Sequence, residues 1–142
     1  EVTPLSVYIV SQEKLKGGRF IDTPDFPKLG YIAPKPDLAI TRLEEVNFLA
    51  ITEELGTNVP AHIGQPRPGV IIVLRDEDAR KFAALSEKAS MKKTLLMLGD
   101  TPLLAPMVTS PLDAVKMQRL QFTFPAQADR TKIENDFRKL TK

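Results

Sequence analysis

Cysteine and tryptophan are absent from this 142-residue chain, and histidine occurs once, as His62. Without cysteine there is no disulfide framework, no thiolate nucleophile and no Cys-ligated zinc. His62 sits between prolines and glycine with no Asp, Glu or Cys at ligand spacing, so it reads as a loop residue rather than a metal ligand. No G-x-S-x-G elbow exists to present a serine to it. Long apolar runs are missing too: no window approaches the roughly 18 apolar residues needed to span a bilayer. An excess of one charge is equally lacking. The 20 Lys and Arg and 18 Asp and Glu are interspersed and leave a net +2, whereas polyanion binders carry a basic block or stripe. The expectation is a chain with no cofactor, no metal, no nucleic-acid partner and no integral membrane segment.

What is present describes an ordinary globular protein. The hydrophobic fraction is 42% and the charged fraction 27%, and the length suffices to bury a core without cross-links. Twelve prolines gather in connections and stiffen them. The chain begins with Glu1 rather than Met, which fits removal of a leader or trimming. Absence of cysteine suits a periplasmic protein and many cytosolic ones alike.

Residues 69–108 carry the clearest pattern. Val70-Ile71-Ile72-Val73-Leu74 predicts a strand that turns through Arg75-Asp76-Glu77-Asp78 into an amphipathic helix. Asp76 is the expected N-cap, with Glu77 and Asp78 on the positive end of the helix dipole. Ala79, Phe82, Leu85 and Ala89 form its apolar stripe. Residues 94–98 and 103–108 predict two strands about a turn at Gly99-Asp100-Thr101-Pro102. The expectation is that residues 69–111 form a hydrophobic sheet backed by the Phe82/Leu85 helix.

Elsewhere, residues 5–10 alternate as a half-buried strand, residues 11–28 read as a long excursion, and residues 30–33 as a short extended piece stopped by Pro34 and Pro36. Residues 40–51 are ambiguous between helix and strand, with the alternation of Val46, Phe48 and Ala50 favouring a strand over 45–52. Residues 56–68 read as a proline-rich loop. Ser110-Pro111-Leu112-Asp113 has the signature of a one-turn helix start. Leu120, Phe122 and Phe124 alternate with polar residues as a strand with one buried face. Asp129 caps a last helix whose Ile133, Phe137 and Leu140 share a face. The predicted class is α+β, mostly antiparallel, with two main helices packed on one face. It is read as one domain over 1–142, with a core at 30–125 and a C-terminal helix at 128–141.

The segment VIIVLRDEDARKFAALSEKASMKKTLLMLGDTPLLAPMVTSPL resembles the head subdomain of the first periplasmic domain of the SecD (SecDF) family. The matching residues are Ala79, Lys81, Phe82, Ala83, Leu85 and Ser86 on the helix. Lys93, Leu95 and Leu98 follow on the next strand, then Gly99 shifted at the turn, and Leu104, Ala105, Pro106 and Pro111 beyond it. Residues 31–38 and 119–122 fall where that family has the flanking segments, so the resemblance covers about two thirds of the chain. Where the family has a glycine after the helix this chain has Ser90-Met91, and the family's glycine-rich loop before the last strand is replaced by residues 110–118. The resemblance implies a stand-alone head-like fold, an extracytoplasmic (periplasmic) setting, and binding of another protein or an extended polypeptide rather than catalysis.

Other residue groups read structurally. Glu44-Glu45 and Glu53-Glu54 are adjacent on extended chain and point to opposite faces, so neither doublet converges on a substrate. Asp76-Glu77-Asp78 lacks the spaced ligands and glycine of a cation loop. Gly17-Gly18 lacks the G-K-[ST] of a phosphate loop. Lys88, Lys92 and Lys93 form a basic helix terminus without interleaved aromatics. Met91, Met97, Met107 and Met117 could line a peptide groove, but the favoured reading places Met97 and Met107 across the hairpin as core filler. The contact surfaces are expected on the two long loops: Phe20 and Phe26 on the first, and Pro60, His62, Gln65 and Arg67 on the second. A rival reading is a periplasmic inhibitor or immunity-type protein that plugs one enzyme with a loop. A second rival is an enzyme working with Asp, Glu, Lys and Arg alone.

Overall fold

The computed structural model describes residues 2–51, 67–108 and 118–141. Every strand pair among them is antiparallel, and the class is α+β. β1 (Leu5–Ile9), β4 (Leu38–Ile40), β7 (Lys92–Leu98), β8 (Thr101–Leu104) and β9 (Met107–Val108) form one sheet, ordered β4-β1-β7-β8, with β9 pairing on β7 beyond β8. β5 (Leu43–Ile51), β6 (Arg67–Leu74) and β10 (Arg119–Thr123) form a second sheet with β6 central. β2 (Arg19–Ile21) and β3 (Gly30–Ile32) make a small hairpin. The helices are α1 (Asp76–Lys88) and α2 (Arg130–Lys139).

Strand patterning explains this division. β6 alternates: Val70, Ile72 and Leu74 are buried, while Ile71 and Val73 are half-exposed beside Asn47 and Gln121. It serves a sheet with one wet face. β7 does not alternate, being buried from Thr94 through Leu98, and so it requires cover on both faces. Leu96 and Leu98 join the main core with Leu5, Val7, Phe82, Phe122 and Phe137. Leu95 and Met97 join a second cluster with Val10, Ile21, Leu29 and Ile32 beneath the β2–β3 hairpin. β6 and β7 therefore belong to different sheets, and residues 69–108 do not make the single sheet expected of 69–111. α1 connects the two sheets and fills their joint with Ala79, Phe82 and Leu85.

Several local expectations change for physical reasons. Asp76 is not the N-cap of α1. Arg75 holds that position in extended conformation without a side-chain cap, and the Asp76 carboxylate instead accepts from Gln118 Nε2 at 2.8 Å. The acidic first turn remains. Asp129 does cap α2, accepting from the Lys132 N–H at 3.2 Å. The loop read over 56–68 ends earlier, because Arg67 and Pro68 already belong to β6, and the Pro68 carbonyl accepts from the Phe124 N–H at 2.9 Å. The strand read over 103–108 is broken at Ala105-Pro106, and the Pro106 carbonyl accepts from both the N–H and the hydroxyl of Thr94. Thr101 and Pro102, read as turn, lie in β8, leaving Gly99-Asp100 as a two-residue hairpin loop with Gly99 at φ 60. Beyond expectation, the excursion over 11–28 contains β2, and β5 begins at Leu43, whose N–H donates to the Leu140 carbonyl at 2.9 Å. The one-turn helix read at Ser110 lies outside the described residues.

Candidate polypeptide-binding surface

Among the described residues the acidic groups are dispersed in three dimensions. Glu45 accepts from Asn47 Nδ2 at 2.9 Å on the wet face of the second sheet. Glu77 pairs with Lys81 at 3.0 Å, and this hydrogen bond, then the Lys81 charge, holds its carboxyl below the ordinary value. Partial burial pushes neighbouring Asp78 up. Asp136 is buried on α2, between Lys132 and Lys139, at the edge of a shallow cavity closed by residues 2–4 and the Gly99 turn. Among the described residues no group of three His, Asp or Glu is placed to hold a metal ion. Nor does any buried side-chain nitrogen or oxygen among them lack a hydrogen-bond partner, so no orphaned polar atom marks a ligand position. No helix among them is long and apolar enough to cross a membrane.

Of the loop residues expected to meet a partner, Pro60, His62 and Gln65 lie outside the described residues. Arg67 is exposed at the start of β6, its guanidinium donating to the Phe124 carbonyl at 3.4 Å. Phe20 is 45% exposed and leans on Tyr31, with ring centroids 5.0 Å apart. Phe26 packs against the second apolar cluster and is half-buried. Phe20 and Phe26 therefore belong to the cover over β7, whereas Arg67 belongs to the second sheet.

The most open apolar surface lies at the other end of β7. Met91 is 68% exposed and Met107 51%, the highest values for large apolar side chains among the described residues. They line a cavity of about 510 Å³ between residues 9–13, where the chain leaves β1, and the start of β7. Lys92, Lys93 and Glu13 are its charged residues. Lys93 and Met107 are cross-strand partners and share a face. The cavity exists because Ser11 abandons the sheet: its N–H and carbonyl bond to Tyr31 on the hairpin, while Val10 still bonds to Lys93. β1 thus stops short of Lys92, and the first residues of β7 lose their neighbour on that side.

The favoured reading of the methionines fails here. Met97 pairs with Pro102 and is buried, whereas Met107 pairs with Lys93 and is open. Met107 faces β7 four residues before Met97, so the two are not opposed across the hairpin, and their unequal spacing about the Gly99 turn is the signal that could have shown it. Met117 lies outside the described residues. Searches against family models, curated proteins and solved structures find no match to this chain.

Proposed function

We propose that this chain is a non-enzymatic, extracytoplasmic protein-binding module resembling the SecD head, and that it takes up extended polypeptide rather than transforming it. The observation that carries the reading is the open cavity floored by Met91 and Met107, two unbranched apolar side chains held out to solvent on a well-packed sheet. Thioether side chains adapt to partners of varied shape, which suits recognition of segments rather than of one rigid surface. The order β6, α1, β7, turn, β8 follows the order of the motifs quoted for that family.

Reduced, carboxymethylated α-lactalbumin, which stays unfolded, provides the test. Fluorescence anisotropy should report saturable binding of the unfolded form and none of native α-lactalbumin. Absence of binding to the unfolded form would remove the proposal. Fractionation of cells expressing the full-length protein checks the compartment.

A further inference from the structure

Met91 occupies a backbone position that suits glycine. The Lys92 N–H donates to the Ala89 carbonyl at 2.8 Å, closing a turn over Ala89-Ser90-Met91-Lys92. Met91 is its third residue and has φ 62, where turns of this kind favour Gly or Asn because a Cβ crowds the backbone. The Met91 N–H is held by the Val108 carbonyl, so the conformation is fixed from both sides. A large apolar residue here carries backbone strain and leaves its side chain 68% exposed, so folding gains little from it. Met107, on the adjoining β9, is likewise turned outward.

The charges beside these methionines select among polypeptides. Lys92 and Lys93 are exposed at the cavity, and Lys88 is exposed one turn back on α1. Glu13 is the only acid among the residues lining the cavity. None of these three lysines is in an ion pair among the described residues. Cations over an apolar floor are complementary to a segment that carries apolar side chains followed by carboxylates. Resting on the proposed function, we infer that the Met91/Met107 cavity binds extended peptide segments in which leucine-like residues are followed by aspartate or glutamate.

The probe is a fluorescein-labelled peptide of leucines followed by aspartates, compared with one of leucines followed by lysines. The intact protein should bind the acidic peptide preferentially, with an affinity that falls as salt is raised. Met91→Gly should weaken binding by about tenfold, the factor expected for losing most of one buried apolar side chain. Its melting temperature should stay equal or rise, because the turn is relieved, so a loss of binding cannot be ascribed to unfolding. Lys93→Glu should abolish the preference between the two peptides, because it leaves two lysines against two carboxylates. Unchanged binding by Met91→Gly and Lys93→Glu would overturn the inference. So would a Met91-dependent dimer in sedimentation, or Met91-dependent binding to anionic phospholipid vesicles in place of peptide. If Met91→Gly still binds carboxymethylated α-lactalbumin as the intact protein does, this cavity is wrong while the broader proposal stands. If the intact protein binds neither unfolded chain nor peptide, the broader proposal falls as well.

Discussion

The two faces of β7 are buried to the same depth by very different partners. Leu96 and Leu98 meet a core shared with both helices and the second sheet, while Leu95 and Met97 meet a hairpin made of two three-residue strands. The first face is closed by long, regular elements whose apolar residues touch many others. An aromatic group of Phe48, Phe122, Phe124 and Phe137, with centroids 6.3–6.4 Å apart, stands at its far side. The hairpin is held by paired backbone bonds between Ser11 and Tyr31, by Arg19 reaching Met97 Sδ at 3.6 Å, and by the Asp25 carboxylate accepting from the Gln127 N–H. Depth of burial alone therefore does not measure how firmly a face is closed. Regions with few regular hydrogen bonds and exposed anchors open at lower free energy than the global transition.

The largest expected effect breaks the first face. Phe137 is fully buried and meets Phe48 and Phe122. Phe137→Ala should cost about 3–5 kcal/mol, read as a shifted urea midpoint with loss of amide protection throughout. Ile32→Ala on the hairpin removes a side chain that is 1% exposed. Its cost should sit near the lower end for such truncations, about 2 kcal/mol, because a hairpin can collapse onto the gap. Protection should be lost over residues 19–32 before α2 responds. Equal loss of protection in α2 would show that the two faces are one cooperative unit.

That difference also decides what could be read from the sequence. α1, α2 and β6 were legible because Phe82/Leu85, Ile133/Phe137 and Val70/Ile72/Leu74 repeat at helical or strand spacing. The hairpin was not. Phe20 and Ile21 are two apolar residues among Gly17, Gly18, Asp22 and Pro24, too few for any period to show. Its placement is set by the apolar second face of β7, which it must cover, a tertiary demand. Residues 94–98 did hint at it, since an unbroken apolar strand needs two covers. The Met91/Met107 cavity was legible only in part. Four methionines recur at intervals, but which are core depends on Met107 pairing with Lys93 rather than Met97 and on Ser11 leaving the sheet. Neither leaves a periodic signal.

Gly99 lies at the end of β7 that both faces share. It has φ 60, and a Cβ there would come within 2.7 Å of Thr3 Cγ2. Gly99→Ala should cost about 1–2 kcal/mol through left-handed strain. Because the Gly99 turn sets β8 against β7 beneath both clusters, protection should fall equally in the hairpin and in α2. A response confined to the hairpin would place that turn's contribution on one face only.

The smallest effect concerns the exposed side of α1, far from either comparison face. Lys81 and Glu77 are both more than half exposed, so their ion pair contributes little and is screened by salt. Its sign is nonetheless testable by pH. The carboxyl of Glu77 is held below its ordinary 4.5 by the Lys81 hydrogen bond and charge, so its contribution is full above 4.5 and is lost as pH falls through the lower folded value. Asp78 behaves oppositely. Burial raises it above 3.8, so the folded state holds its proton more tightly, and its ionisation destabilises as pH rises through that window. Glu77→Gln should therefore lower the melting temperature slightly at neutral pH and low salt. The difference from the parent should vanish in acid or molar salt, while Asp78→Asn should raise the melting temperature slightly at neutral pH, a gain that also fades in acid. If Asp78→Asn instead lowered the melting temperature at neutral pH as Glu77→Gln does, burial of Asp78 would not be what separates these neighbouring carboxylates.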